Sequence, residues 1–304
     1  MASSLHKKLL LQAALPILAG LFVFSGCTSP RAEPAWGRML EEGASHALHP
    51  VSFNFGIFEL AGMMRTGTTP ETSLVVYIEG DGHTLNENGE LADDPTPETP
   101  LAFLLAVSDP APKLLYLARI GQFNKRNTGN DYRKYWGNAR FSVEVVLAAN
   151  QAIDRAKSMA KAEKIHLIGF SGGGGLAVIL AEQRKDVASL VTVAGLLDTG
   201  WWVQEYLPSK VRKDYSGAFS LSINPADHAA KISGLPQIHF SGSKDTEIPM
   251  EMVDSFEKKT PFLFFRHIIL PCGHNEGWTA IWPQMLESYA LPLRAQKLEI
   301  FQEK

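Results

Sequence analysis

Ile165-His166-Leu167-Ile168-Gly169-Phe170-Ser171-Gly172-Gly173-Gly174-Gly175-Leu176 is the stretch on which the fold turns. Ile165 to Phe170 is a short apolar run of the kind buried on both faces of a sheet. Gly172 to Lys185 reads as a helix. The join, Gly169-Phe170-Ser171-Gly172-Gly173, fits G-x-S-x-G. A serine on so sharp a strand-to-helix turn needs neighbours without side chains. Gly169 and Gly173 let strand and helix approach. Gly172 can present its N–H beside the serine oxygen, where the helix N-terminus favours negative charge. The motif alone is weak, because four consecutive glycines also suit an ordinary turn. Its position between a buried strand and a helix gives it weight.

Further short apolar runs flank this unit. Leu74 to Ile78, Lys113 to Ala118, Val187 to Val193, Pro236 to Phe240 and Phe262 to Leu270 read as strands, and Val51 to Leu60 as an edge or hairpin strand. Ser142 can cap a helix in which Val145, Val146, Ala149 and Ile153 share a face. Asn275 to Tyr289 should be the last major helix, with a possible kink at Pro283. Alternating strands and helices, with strands apolar on both faces, predict an α/β fold: a mostly parallel central sheet with helices on both faces. Two long connections interrupt the alternation. Asp81 to Pro100 is Pro-rich, and residues 196–232 contain Trp201, Trp202 and Tyr206. Connections of that length serve as lids or pocket walls, and 196–232 is read as a short lid insertion. The three aromatics fit a pocket wall and internal lid packing equally well.

An activated serine needs a base, and the base needs an orienting acid. Asp245, in Ser241-Gly242-Ser243-Lys244-Asp245-Thr246-Glu247-Ile248-Pro249, follows a strand, as does His274 in Leu270-Pro271-Cys272-Gly273-His274. Ser171, Asp245 and His274 thus fall at the carboxyl edge of one sheet. His83 is the rival base and Asp198 the rival acid. The oxyanion hole is expected from Gly172 and from Tyr77-Ile78-Glu79-Gly80-Asp81-Gly82-His83, with Asp81 and Gly82 as the loop candidates. Glu79 and Asp81 would oppose an anionic substrate unless their carboxylates point away. Ser241-x-x-Lys244 fits S-x-x-K without the accompanying S-D-N and is set aside. Cys272 reads as packing, not as a nucleophile.

With these motifs in this order, residues from about 51 to 290 resemble the α/β-hydrolase fold. The segments YIEGDG, DDPTPETP, YLAR, RFSVEVV and INPADH further resemble a group of poorly characterised bacterial hydrolases, many of them lipoproteins. The resemblance implies a Ser171, Asp245 and His274 triad working without a metal or organic cofactor. The expected activity is hydrolysis of an acyl ester, in the manner of a carboxylesterase or lipase, on a small-molecule substrate. A peptidase or acyltransferase on the same triad, and a non-catalytic envelope-binding lipoprotein, are the alternatives.

The 304 residues, 45% hydrophobic and 20% charged, exclude a disordered chain. A formal charge of −3 gives no electrostatic footprint for nucleic acid. The amino terminus reads as an address. His6, Lys7 and Lys8 precede an apolar run from Leu9 to Phe24, which is too short to span a bilayer comfortably. Ser25-Gly26-Cys27 then resembles the lipobox of bacterial lipoproteins, although Phe24 replaces the usual aliphatic residue. Residues 1–26 are therefore expected as a signal peptide, 27–50 as a tether, and 51–304 as the hydrolase domain. Cys27 would carry a lipid anchor that holds the protein on the cell envelope, facing the periplasm. Thr28, where Asp would signal inner-membrane retention, leans towards the outer membrane.

Overall fold

The computed structural model describes residues 32–301, apart from 125, 126, 128–130, 208 and 210–216. Residues 1–26, expected as a signal peptide, and Cys27 lie outside the described residues, as does part of the 196–232 insertion.

Eight strands form one sheet: β1 (His49–Phe55), β2 (Phe58–Thr66), β3 (Ser73–Ile78), β4 (Lys113–Leu117), β5 (Lys164–Phe170), β6 (Val187–Val193), β7 (Gln237–Gly242) and β8 (Phe265–Leu270). Their spatial order is β1-β2-β4-β3-β5-β6-β7-β8. β2 runs antiparallel to both its neighbours, and the strands from β4 to β8 pair in parallel. β3 and β5 are adjacent, with β4 outside one and β6 outside the other. The chain therefore reverses its winding direction between β3 and β5. In open α/β sheets the crevice at the carboxyl ends of the strands at such a point is where ligands bind.

Both faces of the sheet are covered. Helices α3 (Val143–Ala160) and α4 (Gly172–Gln183), with the later helix Glu251–Glu257, pack on one face. Helices α1 (Ala32–Ser45) and α2 (Leu101–Val107), with the helix Trp278–Met285, pack on the other. The Ser142 hydroxyl accepts from the Val145 N–H and starts α3, whose Val145, Val146, Ala149 and Ile153 are buried as their spacing predicts. The helix expected over 275–289 begins later, at Trp278, and its α-helical part ends at Met285, before a short helix at Leu291–Arg294. It holds Pro283 within it and passes into a wider turn at Leu286–Ala290.

Residues 32–45, expected as part of a polar tether, are helix α1. Ala35 and Met39, four apart and hence on one face, are buried, and Trp36 packs on Phe123 at 5.8 Å. Two buried side chains amid charged neighbours make a weak sequence signal, but burying a Met alone contributes about 1.5–3 kcal/mol. Gly37 lies in this helix with open space where a side chain would stand. Gly37→Ala should therefore stabilise the protein by about 0.5–1 kcal/mol, read as a higher urea midpoint at unchanged slope.

Candidate active site

Ser171 follows β5 directly at φ 51° and ψ −120°, a conformation that costs a non-glycine residue of order 1–3 kcal/mol. The surroundings enforce it. The Ser171 N–H donates to the Val193 carbonyl, and its own carbonyl accepts from Gly174 and Leu196. Gly169 and Gly173 explain the glycine run. A Cβ on Gly169 would strike the Gly173 backbone, and one on Gly173 would strike the carbonyls of Ile78 and Glu79. Strands β3 and β5 and helix α4 meet there backbone to backbone.

The turns after β7 and β8 bring two more side chains to the serine. His274 Nε2 lies 3.0 Å from Ser171 Oγ, and His274 Nδ1 lies 2.8 Å from Asp245 Oδ2. The Asp245 side chain is fully buried, and its other oxygen accepts from the backbone N–H groups of Glu247 and Ile248. The carboxylate can only accept, so the Nδ1 position carries the proton and Nε2 is free to accept one from the serine. The Trp278 indole N–H donates to the carbonyls of Gly273 and His274 and fixes the turn. Burial alone would lower the His274 pKa. The hydrogen bond and charge of Asp245, together with Glu247 and Glu276, outweigh it and raise the pKa above 6.5.

The rival residues go elsewhere. Asp198 is buried at the sixth strand's end, where it caps the following turn through the Trp201 N–H and pairs with Ser255, Asn224 and Lys259. His83 lines the same cavity as Ser171, but among the described residues its ring makes no hydrogen bond to that hydroxyl. Cys272 is buried, and burial pushes its thiol up.

The loop after β3 is held from every side. The Gly80 N–H donates to Glu79 Oε1, so it is already used; the Gly80 carbonyl accepts from Gln122 Nε2. A Cβ on Gly80 would stand 3.3 Å from the Ser171 Cβ, so this loop touches the serine. The Asp81 carboxylate lies against Gly172 and is clamped by Arg119 at 2.9 Å and Arg140 at 2.8 Å. Its charge is thereby offset, and it does not present a bare anion to the site. Among the described residues neither the Asp81 N–H nor the Gly172 N–H has a protein acceptor. Gly82, at φ 73°, packs against Pro95 and Gln122. Glu79 is fully buried. Burial pushes its carboxyl up to about 7, against the bonds from Gly80, Ala102 and Tyr116. Sequence reasoning missed Arg119, Arg140 and Gln122, because a clamp on a loop leaves no local spacing signal.

These groups open into a cavity of about 1320 Å³, whose walls include Ser171, His274, Arg140, Trp202, Phe219 and Glu247. Of Trp201, Trp202 and Tyr206, it is Trp202 that lines the cavity. Trp201 and Tyr206 stack on each other at 6.4 Å, and the Tyr206 hydroxyl donates to the Thr246 carbonyl. Among the described residues, no cluster of three His, Cys, Asp or Glu is placed to hold a metal ion.

No protein-family model and no curated protein sequence matches the chain. Solved structures do match it in shape. A Pyrococcus furiosus esterase is 17% identical with a TM-score of 0.51, over 81% of this chain and 92% of that one. An alpha-beta serine hydrolase homologue from Coxiella burnetii is 14% identical with a TM-score of 0.52, over 81% and 96%. The chain has the α/β-hydrolase fold. The same fold carries a Mycobacterium tuberculosis puromycin-hydrolyzing peptidase, 15% identical with a TM-score of 0.58 over 83% of this chain and 40% of that one.

Proposed function

We propose that the protein is a serine hydrolase that cleaves carboxylic esters through an acyl-enzyme. The observation that carries this reading is the continuous hydrogen-bonded line from Asp245 through His274 to Ser171, at 2.8 and 3.0 Å. His274 Nε2 takes the hydroxyl proton while Ser171 Oγ bonds to the acyl carbon. The oxyanion is received by the N–H of Gly172 and that of Asp81, with Gly82 setting the loop's path. The C–O bond to the leaving group breaks, and His274 returns the proton to the departing oxygen. Water then repeats the sequence on the acyl-enzyme, releasing the acid and restoring Ser171. Asp245 holds the imidazole's tautomer and stabilises its charged form.

The wide cavity also admits a peptide, so hydrolysis of an amide is the second reading. The non-catalytic alternative is disfavoured by the strained Ser171 backbone, a cost without use in a pure binding protein. Labelling with a fluorophosphonate probe, followed by peptide mapping, tests the proposal. The adduct is expected on Ser171 alone. Folded protein that takes no label points to a binder, and turnover of short-chain p-nitrophenyl esters against peptides separates the two enzymatic readings. A lipid anchor at Cys27 on the cell envelope stays part of this proposal.

The base must be neutral to act, and its pKa is raised. With a neutral ester, kcat/KM should therefore climb along a single acid limb whose midpoint lies above pH 6.5. The limb should persist in Glu79→Gln, which removes the buried carboxyl that titrates near 7. A pH profile of both proteins between about 5 and 9 checks this; loss of the limb in Glu79→Gln would assign it to the wrong group.

A further inference from the structure

Hydrolysis places the leaving group beside the nitrogen that protonates it. That nitrogen, His274 Nε2, has a second carboxylate near it. Glu247 Oε2 lies 3.8 Å away, on the cavity wall and 64% exposed. Its backbone is pinned at both ends: the N–H donates to Asp245, and the carbonyl accepts from the Trp202 indole at 3.0 Å. The backbone of the residue is therefore fixed at the cavity wall, while its carboxylate remains open to solvent. Among the described residues, His274 is its only ion-pair partner.

The other charges of the cavity wall are mostly spoken for. Arg140 pairs with Asp81, and Arg133 pairs with Asp93. Lys134 stands over the Tyr135 ring on the 133–140 segment, which Asp81 joins to the loop after β3 and not to the His274 turn. Glu276 lies against Gly273 in the His274 turn and adds to the negative potential there. Trp202 brings an indole to the same wall, and Phe219 meets it edge-on at 6.1 Å. A carboxylate beside an aromatic surface is the combination that attracts an ammonium group.

We propose that Glu247 and Trp202 form a leaving-group subsite for a cation. The preferred substrates are then esters or amides whose departing alcohol or amine carries a second, protonated or quaternary, nitrogen. The inference rests on the serine-hydrolase reading, since only that reaction fixes where the leaving group stands. Glu247 is a specificity residue: it acts on the departing group's charge and takes no part in bond making.

The test compares acetylthiocholine with S-(3,3-dimethylbutyl) thioacetate, which has the same shape and acyl group but no charge. Any effect of Glu247 on His274 divides out of their kcat/KM ratio. The wild type should prefer the cation about tenfold, a size suited to an exposed pair. The preference should shrink towards unity in about 1 M salt, as screening requires, and disappear in Glu247→Gln. A ratio that Glu247→Gln leaves unchanged, or a wild-type preference for the neutral ester, overturns the proposal. If neither thioester is turned over and Ser171 takes no fluorophosphonate, the hydrolase reading fails on its own account. If Ser171 does take the label but neither thioester is turned over, the subsite is decided by calorimetric titration of choline against 3,3-dimethylbutanol. Choline binding lost in Glu247→Gln supports it, and equal or absent binding of the two refutes it.

Discussion

Ser171→Ala is expected to lower kcat on a p-nitrophenyl ester by about 10⁵–10⁶, the scale seen when a serine nucleophile is deleted, while leaving stability close to that of the parent. The two halves of the expectation have separate causes. The loss of rate follows because no other described hydroxyl or thiol is hydrogen-bonded to His274 Nε2 for the imidazole to deprotonate; Cys272 is buried with its thiol pushed up. The retained stability follows because the hydroxyl's only partner among the described residues is His274. The backbone bonds that hold the turn come from Val193, Gly174 and Leu196 and survive the change. Alanine inherits the left-handed backbone at φ 51° and so keeps the strain. Ser171→Gly releases it. That relief, of order 1–3 kcal/mol, is set against glycine's entropy cost of about 0.5–1 kcal/mol. The glycine variant should be equally inactive and at least as stable as the alanine variant. Residual activity above about one per cent in folded Ser171→Ala would refute the nucleophile. Thermal melts alongside the kinetics separate that outcome from misfolding.

The order of elements was readable because buried parallel strands are short and apolar, and because each is closed by turn residues. Ser171, Asp245 and His274 each follow such a strand, so topology alone brings them to one edge. What the sequence did not disclose is how that edge is stiffened. Tyr77-Ile78-Glu79-Gly80-Asp81-Gly82, Tyr116-Leu117-Ala118-Arg119 and the segment beginning at Arg140 are far apart along the chain. Yet they meet at one carboxylate, with Arg119 and Arg140 both on Asp81. Arg119 is almost fully buried, and breaking a buried pair of this kind costs about 3–5 kcal/mol. Such a clamp is a tertiary contact between loops, and no periodicity or spacing announces it. The same holds for helix α1, whose two buried side chains gain their meaning only from the sheet face they cover. Glu247 escaped notice for a different reason. It lies two residues past Asp245 with no motif of its own, and only the fold of that turn brings it to the imidazole.

The choice between two acids gives the second large effect. Asp245→Asn should lower kcat/KM about 10⁴-fold, whereas Asp198→Asn should leave it within a few-fold of the parent. The reason lies in which atoms are already committed. Asp245 Oδ1 accepts from two backbone N–H groups, so an asparagine must keep its oxygen there. Its NH₂ then faces His274 Nδ1, which can bond to it only as an acceptor. The imidazole is driven into the tautomer with the proton on Nε2, and that nitrogen can no longer take the proton of Ser171. Asp198 instead meets Trp201, Asn224, Ser255 and Lys259. Its replacement puts an amide against a lysine and loses charge-assisted bonds, at a cost of about 1.5–3 kcal/mol. Burial would raise the Asp198 carboxyl, but those partners hold it below its ordinary value. A depressed folded-state pKa gives stability that is present at neutral pH and fades as the pH falls through it. The stability gap between the parent and Asp198→Asn should therefore close below about pH 4. Urea melts at several pH values follow the one residue, and ester kinetics follow the other. If Asp198→Asn lost the rate while Asp245→Asn kept it, the orienting role would pass to Asp198, and His274 would have to turn away from the carboxylate it now faces.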